Sequence, residues 1–147
     1  MVYMTVPGWT YAALCNDEDE RALHLIKIGC TQNPEGRFRD DEREIIISHP
    51  DSLHGYDDKA RFKWGELERR VLSFAGRFGL RYEDNDPEYV TDSHLKMHGS
   101  IELIKFDYDS IIELRECIDY ADHDVKEFFE DLLMAHEQGL VYERPEY

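Results

Sequence analysis

Four side chains able to act on a phosphate group or a metal ion are spread over the first half of the chain. They are a tyrosine and a lysine in two apolar segments, an arginine soon after a glycine, and a glutamate in a later amphipathic segment: Tyr11, Lys27, Arg37 and Glu68. A guanidinium suits phosphate because its donors form a fixed planar fork. One carboxylate, completed by waters and substrate oxygens, is an ordinary Mg²⁺ site. These residue types are among those that cleavage of a phosphodiester requires.

The charge of the chain limits how such a site could meet nucleic acid. The formal net charge is −16, and residues 101–147 hold 14 acidic side chains against 4 basic ones. The segment from Lys59 to Arg81 has the opposite balance, with seven basic residues against two glutamates. Because salt screens charges beyond about 8 Å, a local basic strip can still bind a phosphate. Net charge therefore argues against tight non-specific DNA binding and leaves a local site open.

Composition indicates a soluble cytoplasmic protein. A chain of 147 residues with 41% hydrophobic residues predicts one compact domain, with a C-terminal extension. No apolar run approaches the length of a membrane span, and the N-terminus lacks the layout of a signal peptide. Cys15, Cys30 and Cys117 are odd in number and far apart. They form neither a disulfide framework nor a zinc-ligand spacing, so we expect reduced, cytosolic thiols and no membrane partner.

The segments around the four side chains predict strands and a capped helix. WTYAAL and ALHLIKIG predict two strands that form a hairpin, the second ending at Gly29. Asn33 before Pro34 predicts a helix that runs to about Glu44. EIIIS predicts a third, buried strand, followed by a loop over Pro50–Asp58.

Helical periodicity dominates the rest of the chain. A helix is predicted over about Arg61–Phe78, and SIELIKFDYD predicts one further strand. Capping boxes at Ser110–Glu113 and Asp124–Glu127 predict the starts of two more helices, the last of which stops at Gly139. The apolar positions predicted to be buried on the first and last of these helices are Leu67, Val71, Phe74 and Phe78, and Val125, Phe128, Phe129, Leu132 and Leu133.

This order of motifs resembles the GIY-YIG nuclease superfamily, in particular the branch whose second motif reads YKIGxT. TYAAL stands for the first motif, which in that branch reads like VYVL, and IKIGCT stands for the second. NPEGRF is similar to the NPEKRL of that branch and places Arg37 eight residues after Gly29. ELERRV is similar to the later helix of the family, which carries a glutamate. The resemblance covers about residues 8 to 80, and a phage or bacterial source would fit it.

The resemblance implies a fold and a site. It implies an α/β (α+β) domain over residues 1–100, with a three-stranded antiparallel sheet flanked by helices, and an acidic strand-and-helices extension, residues 101–147, packed on it. It implies a metal-dependent endonuclease that uses Mg²⁺ or Mn²⁺ and acts on nucleic acid, with DNA favoured over RNA. Tyr11 would help to activate water and Arg37 would hold the scissile phosphate. Glu68 would bind the metal ion and Lys27 would make a second phosphate contact, all on one concave face.

Each of these residues also has an ordinary structural interpretation. Tyr11 fits a half-buried strand aromatic, and Lys27 fits a solvent-facing strand residue. Arg39, near Arg37, fits a solvated helix surface. Glu66 is expected to pair with Arg69 or Arg70 at the helix surface, although a one-step shift in alignment would exchange the roles of Glu66 and Glu68.

Two pairs of histidines are weaker candidates. His94 and His98, in HLKMH, have a spacing that would share a helix face and could bind a metal, but no third ligand is evident. His49 and His54 are expected in a loop that could approach the cleft.

Two functions follow from these observations. Motif order favours the endonuclease. Charge favours an acidic interaction protein, catalytically weakened, that mimics nucleic acid and blocks a basic DNA-binding enzyme, as small phage inhibitors do. Asp41 stands where many relatives carry His or Tyr one turn after the arginine, and Asp40 and Glu42 add negative charge beside the expected phosphate site. These departures favour the second function.

Overall fold

The computed structural model describes residues 3–14, 25–34, 45–56, 61–82 and 102–139, and the structural statements below concern these residues. The strands are β1 (Tyr3–Leu14), β2 (Leu25–Thr31), β3 (Ile45–Tyr56), β4 (Arg61–Gly65) and β5 (Leu103–Lys105). The helices are α1 (Glu66–Arg77), α2 (Tyr108–Cys117), a short 3₁₀ helix (Ile118–Tyr120) and α3 (His123–Glu137). The fold is α+β: all strand pairs are antiparallel, in the sheet order β4-β3-β1-β2-β5.

The sheet is larger than the three strands that the sequence predicted. The predicted loop after Pro50 is the second half of β3, and the first residues of the predicted helix, Arg61–Gly65, form β4. Pro50 pairs with Trp9 of β1, but β4 contacts β3 only from Leu53 to Tyr56. Within the described residues, Pro50 therefore lies on an outer edge of the sheet, where its missing N–H breaks no ladder.

One hydrophobic cluster joins the sheet to the three helices. Ala12, Ile26 and Ile28 of the two central strands are fully buried against it. The predicted buried faces of α1 and α3 are confirmed, except that Phe78 is only partly buried; the members from these helices include Leu67, Val71, Phe74, Val125, Phe128, Phe129, Leu132 and Leu133. Burial of apolar area contributes roughly 25 cal/mol per Å², so this cluster is the main source of the fold's stability. It fixes α1 against the centre of the sheet.

The start sites of the two C-terminal helices differ from the predicted ones. Asp107 caps α2 by accepting the N–H of Ser110 at 2.8 Å, and Asp122 caps α3 by accepting the N–H of Val125 at 3.1 Å. Both aspartates have extended backbone, which lets the side chain reach the first turn. The predicted caps, Ser110 and Asp124, lie inside the helices. The last helix was predicted to stop at Gly139. It ends two residues earlier, at Glu137, and Gly139 has a φ of 76°, as is common for a glycine just after a helix.

Residues from the predicted C-terminal extension complete the same sheet and core. β5 pairs with β2 from Leu25 to Lys27, and Tyr82 donates its backbone N–H to Leu103 along the other side of β5. None of the helices in the described part of the chain has the length and apolar character needed to cross a membrane.

Candidate functional site

The N-terminus of α1 is held by an aspartate from a different element. The residue at the N-cap is Gly65, which has no side chain to bind the free N–H groups of the first turn. Asp51 of β3 takes that role: its Oδ1 accepts the N–H of Leu67 at 2.8 Å, and its Oδ2 lies 3.4 Å from the N–H of Glu68. A strand residue sixteen positions away therefore caps the helix.

Close packing fixes this carboxylate. Thr10 of β1 donates its hydroxyl to Asp51 Oδ2 at 2.6 Å, and the N–H of Ser52 donates to Oδ1 at 2.7 Å. A Cβ at Gly65 would collide with Asp51 Oδ2. Glycine at the N-cap thus leaves the space that the carboxylate occupies, and the absence of a local capping side chain has a physical reason.

Glu68 is the buried carboxylate of this end of the helix. Glu68 is 5% exposed, and its Oε1 accepts a hydrogen bond from the N–H of Gly65 at 3.2 Å. Burial raises the pKa of the Glu68 carboxyl above its ordinary value, and the nearby charge of Asp51 raises it further. The hydrogen bond from Gly65, the charge of Lys27 and a hydrogen bond with Cys30 oppose that rise in pKa. Glu68 is therefore a carboxylate that costs free energy to keep ionised.

Tyr11 and Lys27 occupy neighbouring positions on the β1–β2 pair. Tyr11 is opposite Gly29 and Lys27 is opposite Ala13, so strand alternation puts both on one face. Tyr11 is 1% exposed, and its ring covers Gly29, where a Cβ would lie 2.6 Å from Tyr11 Cζ. The sequence predicted that this strand ends at Gly29, and that prediction is wrong. β2 continues to Thr31, and the glycine makes room for the tyrosine.

Lys27 is buried and paired, which excludes the solvent-facing interpretation. The residue is 7% exposed, and its ammonium forms an ion pair with Glu102, just before β5. Its charge also lowers the pKa of Glu68. Lys27 therefore interacts with one carboxylate from the C-terminal segment and influences a second one on α1.

The structure brings some of the four predicted residues together and separates others. Lys27 lies within electrostatic reach of Glu68, and Tyr11 shares its face of β1–β2. Alternation places Tyr11 on the face opposite to Ala12, which packs against α1, so Tyr11 and Glu68 lie on different sides of the sheet. Arg37, with Arg39 beside it, lies outside the described residues.

Three residues of this site were missed in the sequence. Asp51 was predicted to lie in a loop, while Thr10 and Cys30 lie inside the TYAAL and IKIGCT segments but were given no role. Aspartate is depleted in strands, so an aspartate inside β3 would have signalled a special role once the strand was recognised. Thr10 and Cys30 face each other across β1 and β2, on the side covered by α1. That position explains how both side chains reach the helix terminus.

The ion pair predicted for Glu66 at the surface of α1 is present, and the neighbouring Arg70 has other partners. Glu66 accepts from Arg69 Nη2 at 2.9 Å, which confirms it as a surface ion pair. Arg70 instead binds two aspartates of the α3 start, Asp122 at 3.1 Å and Asp124 at 3.2 Å. The basic strip of the sequence is therefore partly neutralised by the acidic C-terminal segment.

The histidines of β3 are strand residues, although a loop was predicted for them. His49 Nε2 lies 2.7 Å from Asp131 Oδ2, and its ring meets that of Phe128 edge-on. His54 stacks on Trp64, with ring centroids 4.0 Å apart. His49 and Asp51 border a cleft of about 520 Å³ between β3 and the starts of α1 and α3. The pair His94 and His98 lies outside the described residues.

One further group could be taken for a metal site. Ligand atoms of His123, Asp124 and Glu127 lie within 4.8 Å of one another, and all three residues are exposed. Asp124 binds Arg70, and His123 lies 3.4 Å from Glu127 in an i,i+4 pair. These contacts account for the three side chains without an ion.

In comparisons with models of protein families, with curated proteins and with solved structures, nothing matches this chain.

Proposed function

We propose that the protein is a metal-dependent endonuclease of the GIY-YIG type, which hydrolyses phosphodiester bonds in nucleic acid, with DNA favoured over RNA. One observation carries the proposal: Lys27, on the Tyr11 face of β1–β2, acts electrostatically on Glu68, a buried carboxylate with a raised pKa. Such perturbed carboxylates are concentrated at functional sites.

The proposal assigns each residue a role that suits its chemistry. Glu68 would hold Mg²⁺ or Mn²⁺, and Arg37 would hold the scissile phosphate. Lys27 would make a second phosphate contact. Tyr11, which is 1% exposed and lies on the other side of the sheet from Glu68, would support β2 at Gly29 and would not contact the attacking water. The divalent metal would neutralise charge on the phosphoryl oxygens.

The proposal assigns the magnesium ion to Glu68. Both oxygens of Asp51 already accept hydrogen bonds, so Glu68 is the carboxylate of this cluster with capacity left for a cation. Mg²⁺ commonly uses one or two carboxylates together with waters and substrate phosphates. Because burial raises the pKa of Glu68, ligation would release a proton from a fraction of the molecules and would strengthen as pH rises.

Single-turnover cleavage of labelled DNA and RNA oligonucleotides, with Mg²⁺ or Mn²⁺, tests this function. Glu68→Gln keeps the size of the side chain and its acceptor for Gly65, so it should abolish cleavage without unfolding the protein. Arg37→Ala should lower the rate by about 10²-fold or more, as expected for a lost contact to the transition state. Glu66→Gln is the matched control and should leave the rate unchanged. Equal rates for Glu68→Gln and wild type would remove Glu68 from the mechanism.

An acidic interaction protein is the second candidate, favoured by the surface of α2 and α3. Carboxylates that include Glu113, Glu116 and Glu130 are exposed there, and the described cations near them, Arg115 and Lys126, are paired with Glu137 and Asp119. Such a surface suits a basic DNA-binding protein. Filter binding of a generic duplex and of its single strand at low salt separates the candidates: retention of either favours the nuclease, and no retention of both at any protein concentration favours the mimic.

A further inference from the structure

A second groove, on the outer side of α1, is rich in arginine. It has a volume of about 340 Å³ and lies between α1, the 3₁₀ helix and the start of α3. Its polar lining consists of three arginines, one serine, one tyrosine and one aspartate: Arg69, Arg70, Arg77, Ser73, Tyr120 and Asp122. Three guanidinium groups and one carboxylate line the groove, and two of these guanidinium groups also pair with carboxylates beside it, Arg69 with Glu66 and Arg70 with Asp124.

The single carboxylate is already engaged. Asp122 Oδ2 binds Arg70 at 3.1 Å, and its Oδ1 accepts the N–H of Val125 at the start of α3. Arg70 is in turn shared with Asp124. Arg69 is paired with Glu66, so Arg77 is the arginine of the groove without a carboxylate partner among the described residues, and a phosphate at Arg69 would compete with an exposed ion pair.

Arg69 and Arg77 form a stripe along α1 with Ser73 between them. The three residues follow at intervals of four, so they lie on one side of the helix, and all are exposed. Eight residues span about 12 Å of helix axis, which is enough to contact more than one phosphate of a strand. The Arg77 guanidinium lies 5.2 Å from the Phe78 ring centre and has no carboxylate partner among the residues the structure describes. Arg69 lies over Trp64 and also pairs with Glu66.

An exposed aromatic ring lies beside this stripe. Tyr120 is 72% exposed and nearly parallel to Phe78, with ring centroids 6.1 Å apart. Single-stranded nucleic acids bind where a basic groove follows the backbone and aromatic rings stack on the bases. Arg77, Phe78 and Tyr120 together provide a cation and an exposed ring next to each other.

We propose that this groove binds single-stranded nucleic acid, with phosphates at Arg69 and Arg77 and a base stacked on Tyr120. The inference rests on the proposed function and sharpens it, because it names the state of the strand. A base presents its face to a side chain only when it is unstacked from its neighbours, as in a single strand. A duplex would also bring a higher density of phosphates towards a molecule of strong negative net charge, which repels them.

Fluorescence anisotropy with short labelled oligonucleotides, in EDTA and at low salt, tests the groove independently of cleavage. The single strand should bind more tightly than the matching duplex. The double change Arg69→Ala with Arg77→Ala should weaken binding and lower the slope of log K against log salt by about 1.4, since each phosphate contact to a single strand contributes about 0.7. Arg115→Ala, which removes an exposed arginine paired with Glu137, is the control and should have no effect.

Two variants at Tyr120 distinguish the contribution of base stacking from that of charge. Tyr120→Ala should weaken binding about 5-fold or more, while Tyr120→Phe should bind like the wild type, because stacking needs the ring and not the hydroxyl. DNA and RNA strands of the same sequence show which sugar is preferred.

Three results would overturn the proposal: tighter binding to the duplex, unchanged affinity after loss of both arginines, or competition by poly-glutamate as strong as by the oligonucleotide. The same binding measurement on the Glu68→Gln variant, which should bind the single strand but not cleave it, separates this test from the test of the proposed function. A protein that binds the single strand in the groove but cleaves nothing contradicts the nuclease and supports the groove. A protein that cleaves, but whose arginine variants bind like wild type, contradicts the groove alone.

Discussion

The inner and outer sides of α1 hold charge in different ways. On the inner side, Glu68 and Asp51 are enclosed by hydrogen bonds from backbone N–H groups and from Thr10. On the outer side, Arg69 and Arg77 are exposed and rest on aromatic rings. Removing a buried polar partner leaves another group unsatisfied, whereas removing an exposed charge changes mainly the field in solution. The inner side should therefore control stability, and the outer side should control binding.

The largest effect on stability is expected from Asp51→Ala. It removes the cap of α1 and leaves the Thr10 hydroxyl and the Leu67 N–H without their acceptor. Loss of a cap costs about 0.5–2 kcal/mol, and an unsatisfied buried group adds about 1–3 kcal/mol, so we expect about 2–3 kcal/mol by urea denaturation. Asp131→Ala, an exposed partner of His49, is the control. A loss no larger than that of the control would contradict the capping role.

Gly29→Ala should cost about 1–3 kcal/mol, the usual effect of overpacking. The new methyl group would press on the Tyr11 ring, which is fully buried. Tyr11→Phe removes the hydroxyl that lies over Gly29, so the double variant should lose less stability than the sum of the two single changes. Strict additivity of the two losses would show that the tyrosine is not what excludes a side chain at this position.

The pH dependence of stability distinguishes Glu68 from an exposed glutamate. A carboxyl whose pKa is raised in the folded state binds its proton more tightly there than in the unfolded chain, so its contribution is fully present below about pH 4.3. That contribution is lost as pH rises through the folded-state pKa. Glu68→Gln removes this loss, so its stability relative to wild type should improve as pH increases. Urea denaturation of both proteins at several pH values between 4 and 8 measures this difference in stability. A difference that stays constant, or that shifts in favour of the wild type as pH rises, contradicts the raised pKa.

The smallest effect is expected from Glu66→Gln on the outer side. The ion pair with Arg69 joins two solvent-accessible side chains, and such i,i+3 pairs contribute about 0.3–0.5 kcal/mol. The change should therefore fall below about 0.5 kcal/mol in urea denaturation, and less at high salt. A loss as large as that of Asp51→Ala would mean that the two sides of α1 do not differ as described.

Periodicity predicted the parts of the fold that one large apolar face determines. The buried positions of α1 and α3 followed from spacing of three and four residues, since each helix has one side against the sheet. β4 was missed because Arg61–Gly65 continues directly into α1, with only the single glycine Gly65 at their boundary. The helix starts were misplaced because several polar residues precede each apolar run, and only the backbone shows which of them is extended.

The candidate site was less predictable, because its contacts join distant segments. Motif order selected Glu68 and Lys27, and the structure makes both buried. It did not select Asp51, whose role depends on β3 passing the start of α1, nor Glu102, which reaches Lys27 only through the pairing of β5 with β2. Neither relation leaves a local signal in the sequence.

The aspartate that caps α1 also has a consequence for how the chain folds. A twelve-residue helix whose N-cap is glycine has little stability of its own in water, since helices this short are marginal even with good formers. Its missing acceptor arrives only when β3 is in place, and Thr10 holds that acceptor only when β1 has paired with β3. Formation of α1 is thereby made conditional on assembly of the sheet, which couples local and long-range order into one cooperative step. An isolated peptide of residues 66–77 should show little helix by circular dichroism, although the same residues form a regular helix in the whole protein.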